Sequence, residues 1–153
     1  LGRSVTLFLS PARPEDRAAV CALLRACDLP DDFGAYFPAG YVVARHAGRL
    51  VGCAGLETYE RAALLRSVAV EAGRRRTGLG RQLVDNRLSE ARRAGFAAVY
   101  LLTTGAAPYF RELGFVDARR ADAPESVRAS TQFIGGVCAS AACLVHTLTV
   151  PST

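Results

Sequence analysis

The stretch Ser67-Val-Ala-Val-Glu-Ala-Gly-Arg-Arg-Arg-Thr-Gly-Leu-Gly-Arg-Gln-Leu-Val84 decides how this chain is read. Its first residues are apolar and β-prone, and they predict the end of a buried strand near Val70. A basic turn follows. Glycines then open a helix whose apolar residues recur at helical spacing. Inside the stretch, Arg75-Arg76-Thr77-Gly78-Leu79-Gly80 has the form R-x-x-G-x-G. The first N–H groups of a helix have no partner within it and lie at the positive end of its dipole. Glycines let a bulky anion approach those N–H groups. The segment therefore predicts a phosphate cradle with a diphosphate-bearing cofactor as its guest. A merely solvated basic turn at Arg74 to Arg76 is the other reading, and the glycines that follow weigh against it.

Hydrophobic periodicity extends this reading in both directions. Ala62 to Val70 reads as a strand leading into the turn. The helix after Gly78 carries Leu79, Leu83, Val84, Leu88 and Ala91 on one side, with Arg81, Arg87, Arg92 and Arg93 mostly on the other. Gly95 suits its C-terminal stop. Upstream, Tyr41 to His46 and Arg49 to Leu56 read as a hairpin about Ala47-Gly48. A first strand spans Val5 to Leu9. Pro14 then opens a helix with Val20, Leu23, Leu24 and Cys27 on one face. A short second helix is expected over Asp31 to Tyr36. Downstream come a strand at Ala97 to Leu102, a helix at Ala106 to Leu113 ended by Gly114, and a strand from Phe115. Asp122 to Ser140 reads as irregular with a helical turn after Pro124, and Cys143 to Val150 as a last strand. This order predicts one α/β (α+β) domain over residues 1–153, with a central sheet of six to seven strands and helices on both faces.

Composition narrows the function classes. The chain has 153 residues, half of them hydrophobic and 22% charged, enough for one soluble domain with a real core. No apolar run approaches the roughly 18 residues of a membrane span. The formal charge is +5, and all 19 cationic residues are Arg. That balance favours anionic ligands. No basic run is interleaved with aromatics, so a nucleic-acid partner is not expected. The five cysteines are Cys21, Cys27, Cys53, Cys138 and Cys143. Their odd number and the lack of any C-x-x-C argue against a disulfide framework and for a reducing, cytoplasmic setting. No secretory leader pattern is visible. His46 and His146 have no second ligand at metal-binding spacing, so no metal is assigned.

Three features together resemble the GNAT N-acetyltransferases. They are the element order, the R-x-x-G-x-G turn after Ser67-Val-Ala-Val70, and Tyr109-Phe-Arg-Glu-Leu-Gly-Phe115 about 35 residues on. The resemblance implies acetyl-CoA as cosubstrate. Backbone groups of Val68, Ala69 and Val70 would hold its pantetheine arm. The segment Arg75, Arg76, Thr77, Gly78, Leu79, Gly80 and Arg81 would hold its diphosphate. The strands at 62–70 and 97–104 would splay, with the thioester in the gap. Two narrower likenesses exist. Gly55-Leu-Glu-Thr-Tyr59, Val99-Tyr-Leu-Leu-Thr-Thr104 and Tyr109-Phe110 resemble the acetyltransferase domain of N-acetylglutamate synthases. Val127 to Phe133 and Cys138-Ala-Ser-Ala-Ala-Cys143 resemble small N-acetyltransferases encoded in bacterial arsenic-resistance operons. Both imply a small amino-acid-like amine as acceptor, with glutamate analogues and organoarsenicals as candidates. A homodimer through the last strand is also within the family pattern.

Amine acetylation needs a base for the ammonium, an attack on the thioester, and help for the departing thiolate. Many family members carry a Glu where this chain has Leu64, and a Tyr where it has Phe110. Glu57 is the candidate base, with Tyr59 and Glu60 beside it. Tyr109 is the candidate acid. Thr103 and Thr104 are candidates for orienting the substrate or the acetyl carbonyl. Arg66 and Arg128 are candidates for gripping a substrate carboxylate. Each has a plainer reading: a solvated loop carboxylate, a rim aromatic, a strand threonine, a surface arginine. Cys138 and Cys143 read most simply as small buried residues. Three functions stay open: acetyl transfer to a small amine, a catalytically weak acyl-CoA-binding regulatory module, and acetylation of a protein amine. Leu64 and Phe110 keep the second alive.

Overall fold

The computed structural model describes residues 7–33, 36–134 and 141–148. Its seven strands are β1 (Leu7–Pro11), β2 (Tyr41–His46), β3 (Arg49–Thr58), β4 (Ala62–Val70), β5 (Ala98–Thr103), β6 (Val116–Asp117) and β7 (Ala142–Thr147). They form one mixed sheet in the order β1-β2-β3-β4-β5-β7-β6. β4 and β5 pair in parallel, over Ala62↔Ala98, Ala63↔Val99 and Leu64↔Tyr100. The helices are α1 (Arg17–Ala26), α2 (Leu79–Arg93), α3 (Ala107–Glu112), α4 (Glu125–Arg128) and α5 (Thr131–Ile134). Backbone contacts divide the chain into two compact units. One takes in the residues up to Leu56 together with Ser67–Arg87. The other takes in Glu57–Arg66 and the chain from Leu88 onward.

In the first unit, β1 pairs with β2 and β2 with β3, both antiparallel. The β2–β3 connection is the two-residue turn Ala47-Gly48, with φ of 53° and 80°. Two left-handed residues match the twist of a tight hairpin, and Ala-Gly supplies them at the cost of one strained alanine. Pro14 opens a single turn ahead of α1, and Val20 and Leu24 from α1 are fully buried. Leu23 and Cys27 pack against the same cluster from its margin. The helix expected over Asp31 to Tyr36 does not form at Asp31–Phe33. Phe33 is instead drawn into the core, stacked on Phe37 at 4.6 Å and edge-on to Tyr41 at 5.3 Å. The Arg17 guanidinium lies over both phenylalanine rings. This aromatic packing overrides the local helical pattern.

In the second unit, β5 and β7 pair antiparallel over six residues, from Ala98↔Thr147 to Thr103↔Ala142. The strand expected from Phe115 is only two residues long, and Ala118 N still bonds Cys143 O on β7 at 2.9 Å beyond it. Its pairing, Val116↔Val145 and Asp117↔Leu144, places β7 between β5 and β6. The open strand edges are therefore β1 and β6. The turn after Pro124 is α4, and the short α5 follows it. Ala123 and Val127 from this segment pack with Ala62, and Tyr59, Tyr100 and Phe133 close around them.

Candidate active site

The phosphate turn belongs to the first unit and is built mainly from backbone. β4 ends at Val70, a single turn runs over Ala72–Arg74, and α2 starts at Leu79. Arg76 and Gly78 both take left-handed backbone angles, with φ of 66° and 87°. These two reversals turn the chain sharply into the helix. The Thr77 hydroxyl donates to Arg74 O at 2.5 Å and braces the turn from inside. The first intrahelical bond of α2 runs from Gln82 N to Gly78 O at 3.1 Å. The N–H groups of Leu79, Gly80 and Arg81 therefore precede it and point along the helix start. A Cβ placed on Gly78 would meet nothing within 4 Å. The space beside Gly78 is open. Arg75, Arg76 and Arg81 are exposed, while Leu79 is buried and anchors the helix.

Upstream of the turn, Val68 and Val70 are half-buried and Ala69 is buried. Ser67 interrupts β4 with a φ of 57°. The Tyr41 hydroxyl and Ser67 Oγ share a 2.8 Å hydrogen bond. A left-handed non-glycine residue inside a strand is a bulge with stored strain.

The second unit holds a cluster of charged and polar side chains. Glu57 is 3% exposed and Arg66 4% exposed. Arg66 Nη1 donates to Glu57 Oε2 at 2.6 Å. The Tyr59 hydroxyl donates to Glu57 Oε1 at 2.5 Å. Glu57 is thus no solvated loop carboxylate; burying it costs free energy that the guanidinium and phenol offset. The local fold explains the grouping. Tyr59 N donates to Ala62 O at 2.9 Å and closes the β3–β4 turn. Counting outward from that closure puts Glu57 opposite Leu64 and Arg66 one diagonal step on. Directly opposite and diagonal residues share a face of an antiparallel pair. Tyr59 shares that face with Glu57, two residues away. On the other side of Leu64 stands Tyr100 in register. Burial, then Cys143 and Asp122 nearby, pushes the Tyr100 hydroxyl up, so it is a neutral donor at ordinary pH.

The structure brings Glu57 and Arg66 together, although the sequence assigned them separate tasks. The other candidates have contacts of their own. Tyr109 is 38% exposed on α3, beside buried Phe110, whose ring it meets edge-on at 5.3 Å. Thr103 Oγ1 accepts from Ala106 N at 3.0 Å, tying the end of β5 to the approach of α3. Thr104 is exposed. Arg128 is exposed and donates from Nε to Ala123 O at 3.0 Å. Cys143 is buried, and burial pushes its thiol up. Cys138 lies outside the described residues. Sequence reasoning placed Tyr59 only as a neighbour of Glu57. The signal for more was its i, i+2 spacing on one strand face.

The strand, the glycine turn and the helix it opens define a nucleotide-cofactor scaffold of the acetyltransferase type. A family model described as the Acetyltransferase (GNAT) family matches residues 12–115. The chain belongs to that family. Among its relatives, an amino-acid acetyltransferase of Neisseria meningitidis serogroup A is 30% identical over 90 residues, covering 58% of this chain and 21% of the relative. The chain thus spans about a fifth of the length of that curated relative. N-acetylglutamate synthase from Neisseria gonorrhoeae, solved with coenzyme A and N-acetyl-glutamate, superposes with a TM-score of 0.83 at 24% identity, covering 96% of this chain and 36% of that one. Rv2747 from Mycobacterium tuberculosis, solved with CoA, gives 0.79 at 22%, covering 93% and 99%. These superpositions establish the fold.

Proposed function

We propose that the chain is an acetyl-CoA-dependent N-acetyltransferase whose acceptor is the amine of a small amino-acid-like molecule. The cofactor reading rests on the helix-start N–H groups of Leu79, Gly80 and Arg81, the open space at Gly78, and the arginines around them. Bound acetyl-CoA would supply the acetyl thioester. In this reading Val68, Ala69 and Val70 hold the pantetheine arm through their backbone, and Arg75 to Arg81 hold the diphosphate.

The observation that carries an enzyme over a passive binder is the buried Glu57 carboxylate. It stands across the strand pair from Leu64, the position where many family members place a carboxylate. The base would then be present but supplied by β3 rather than β4. Tyr109 is the proposed acid at the leaving thiolate. Thr103 and Thr104 orient the acceptor, and Arg128 binds its carboxylate. Arg66 serves as the counter-charge that permits a carboxylate at Glu57. The alternative, a catalytically weak acyl-CoA-binding module, is favoured by two facts: Leu64 and Phe110 are apolar and buried.

Turnover decides between them. Thiol release from acetyl-CoA, with mass detection of product, is measured over glutamate, phosphinothricin, arsinothricin and short peptides. Acetylated product from an amino acid supports the first reading and names its substrate class. Binding of acetyl-CoA with no turnover on any amine moves the second ahead. The cofactor site has its own test in Gly78→Glu. A side chain at φ 87° is strained, and a carboxylate would sit before the phosphate donors. Acetyl-CoA affinity should fall by at least about 100-fold in calorimetry. Unchanged affinity removes the cradle.

A further inference from the structure

We propose that Tyr59 is a catalytic residue: it carries the proton from the substrate ammonium to Glu57. The inference rests on the reading of the chain as an amine acetyltransferase with Glu57 as base. Its starting point is a conflict in that reading. A base must come within hydrogen-bond reach of the proton it takes. Glu57 is 3% exposed, and both of its carboxylate oxygens are engaged, Oε2 by Arg66 and Oε1 by Tyr59. In this proposal the amine reaches the buried carboxylate through a partner of Glu57, and of the two partners only the phenol both donates and accepts.

Tyr59 resolves the conflict. It is half-buried, on the turn between β3 and β4, and its hydroxyl already points its proton at Glu57 Oε1 across 2.5 Å. A phenol is both donor and acceptor. Its oxygen accepts the ammonium proton as its own proton passes to Glu57. One N–H bond and one phenolic O–H bond break; one phenolic O–H and one carboxylic O–H form. The products are a neutral amine, an unchanged tyrosine and a protonated Glu57. The net charge of ammonium, carboxylate and guanidinium is +1 before and after, and the positive charge moves from the ammonium to the Glu57–Arg66 pair. After acetyl transfer the proton returns to solvent by the same path.

The ring is held for the task. It packs against the cluster of Ala62, Ala123 and Val127, beside Tyr100 and Phe133. Tyr59 and Tyr100 are the two phenols at the margin of this apolar cluster. The shared i, i+2 placement fixes the hydroxyl on the carboxylate without a loop rearrangement.

The test compares wild type with Tyr59→Phe on the best amine of the panel. Melting temperature and acetyl-CoA affinity serve as controls. The expected result is a loss of about 100-fold in kcat/KM for the amine, with cofactor affinity unchanged. Rates in mixtures of light and heavy water add a readout that a packing role does not move. A two-proton relay gives a bowed dependence on deuterium fraction in wild type. A linear wild-type dependence overturns the relay, and that measurement needs no folded variant. A Tyr59→Phe rate within twofold of wild type overturns it as well, while leaving the acetyltransferase reading intact. Absence of wild-type turnover on every amine overturns both.

Discussion

Among the described residues, each unit of the molecule buries one carboxylate against one guanidinium, and the two pairs differ in what else they hold. In the first, Arg45 Nη2 meets Asp16 Oδ2 at 2.6 Å. In the second, Arg66 Nη1 meets Glu57 Oε2 at the same 2.6 Å. The difference lies in the third partner. Asp16 also accepts from Arg13 N at 2.8 Å, so its carboxylate ties the start of α1 to β2. Its partners are a backbone group and a permanent cation, and none of them can exchange a proton near neutral pH. Glu57 instead accepts from a phenol. The first pair has no such partner; in the proposed reading the second also moves a proton. Solvent access differs in the same sense. The Arg45 side chain keeps 20% of its exposure, the Arg66 side chain 2%.

That contrast breaks most visibly at Arg66. Arg66→Ala leaves Glu57 as a buried charge without its cation, and such a loss costs about 3–5 kcal/mol. Denaturant unfolding should show it. The double variant Glu57→Leu/Arg66→Met removes both charges and should recover most of that loss. No recovery in the double would mean that the pair contributes through packing and not through charge.

Next in size is the kinetic effect. Glu57→Gln keeps the shape and an acceptor for Tyr59 but removes the base. Turnover should fall about 100-fold, equivalent to about 2.7 kcal/mol of barrier, with acetyl-CoA affinity held. Asp16→Asn, in the matching position of the other pair, should leave turnover within twofold. An equal slowing in both variants would erase the distinction between brace and base.

The phosphate turn was legible in the sequence because its determinants are local. Strand, glycine and helix start lie within eighteen consecutive residues, and the donors are backbone groups that any side chains would leave in place. The hairpin at Ala47-Gly48 and the helix faces were legible for the same reason. The Glu57 cluster was legible only in part. Glu57 and Arg66 were each picked out by chemical type. Their pairing depends on where the β3–β4 turn closes, a one-residue matter that a slip would have reversed. The same applies to Asp31–Phe33, where aromatic packing between Phe33 and Tyr41 replaced an expected helix. Arg45 and Asp16 left no sequence signal at all. They lie 29 residues apart, and their meeting is set by how β2 passes the start of α1.

The smaller effects test the bracing pair. Arg45→Ala should cost about 2 kcal/mol, the usual range for a hydrogen bond to a charged partner. Water reaching the vacated place limits the loss, which is why it should stay below that of Arg66→Ala. The pH dependence follows from Asp16 itself. Burial alone would raise its carboxyl, but the Arg45 guanidinium and the Arg13 N–H outweigh burial and hold it below its ordinary 3.8. The unfolded chain therefore binds this proton more readily than the folded one. Stability from Asp16 is fully present above pH 3.8 and is lost as the pH falls through the lower folded value. Asp16→Asn should cost about 1 kcal/mol at neutral pH. Its unfolding curves should converge on those of wild type as the pH falls through that lower value. A constant gap across that range would mean that Asp16 acts through shape and hydrogen bonding, with its charge idle.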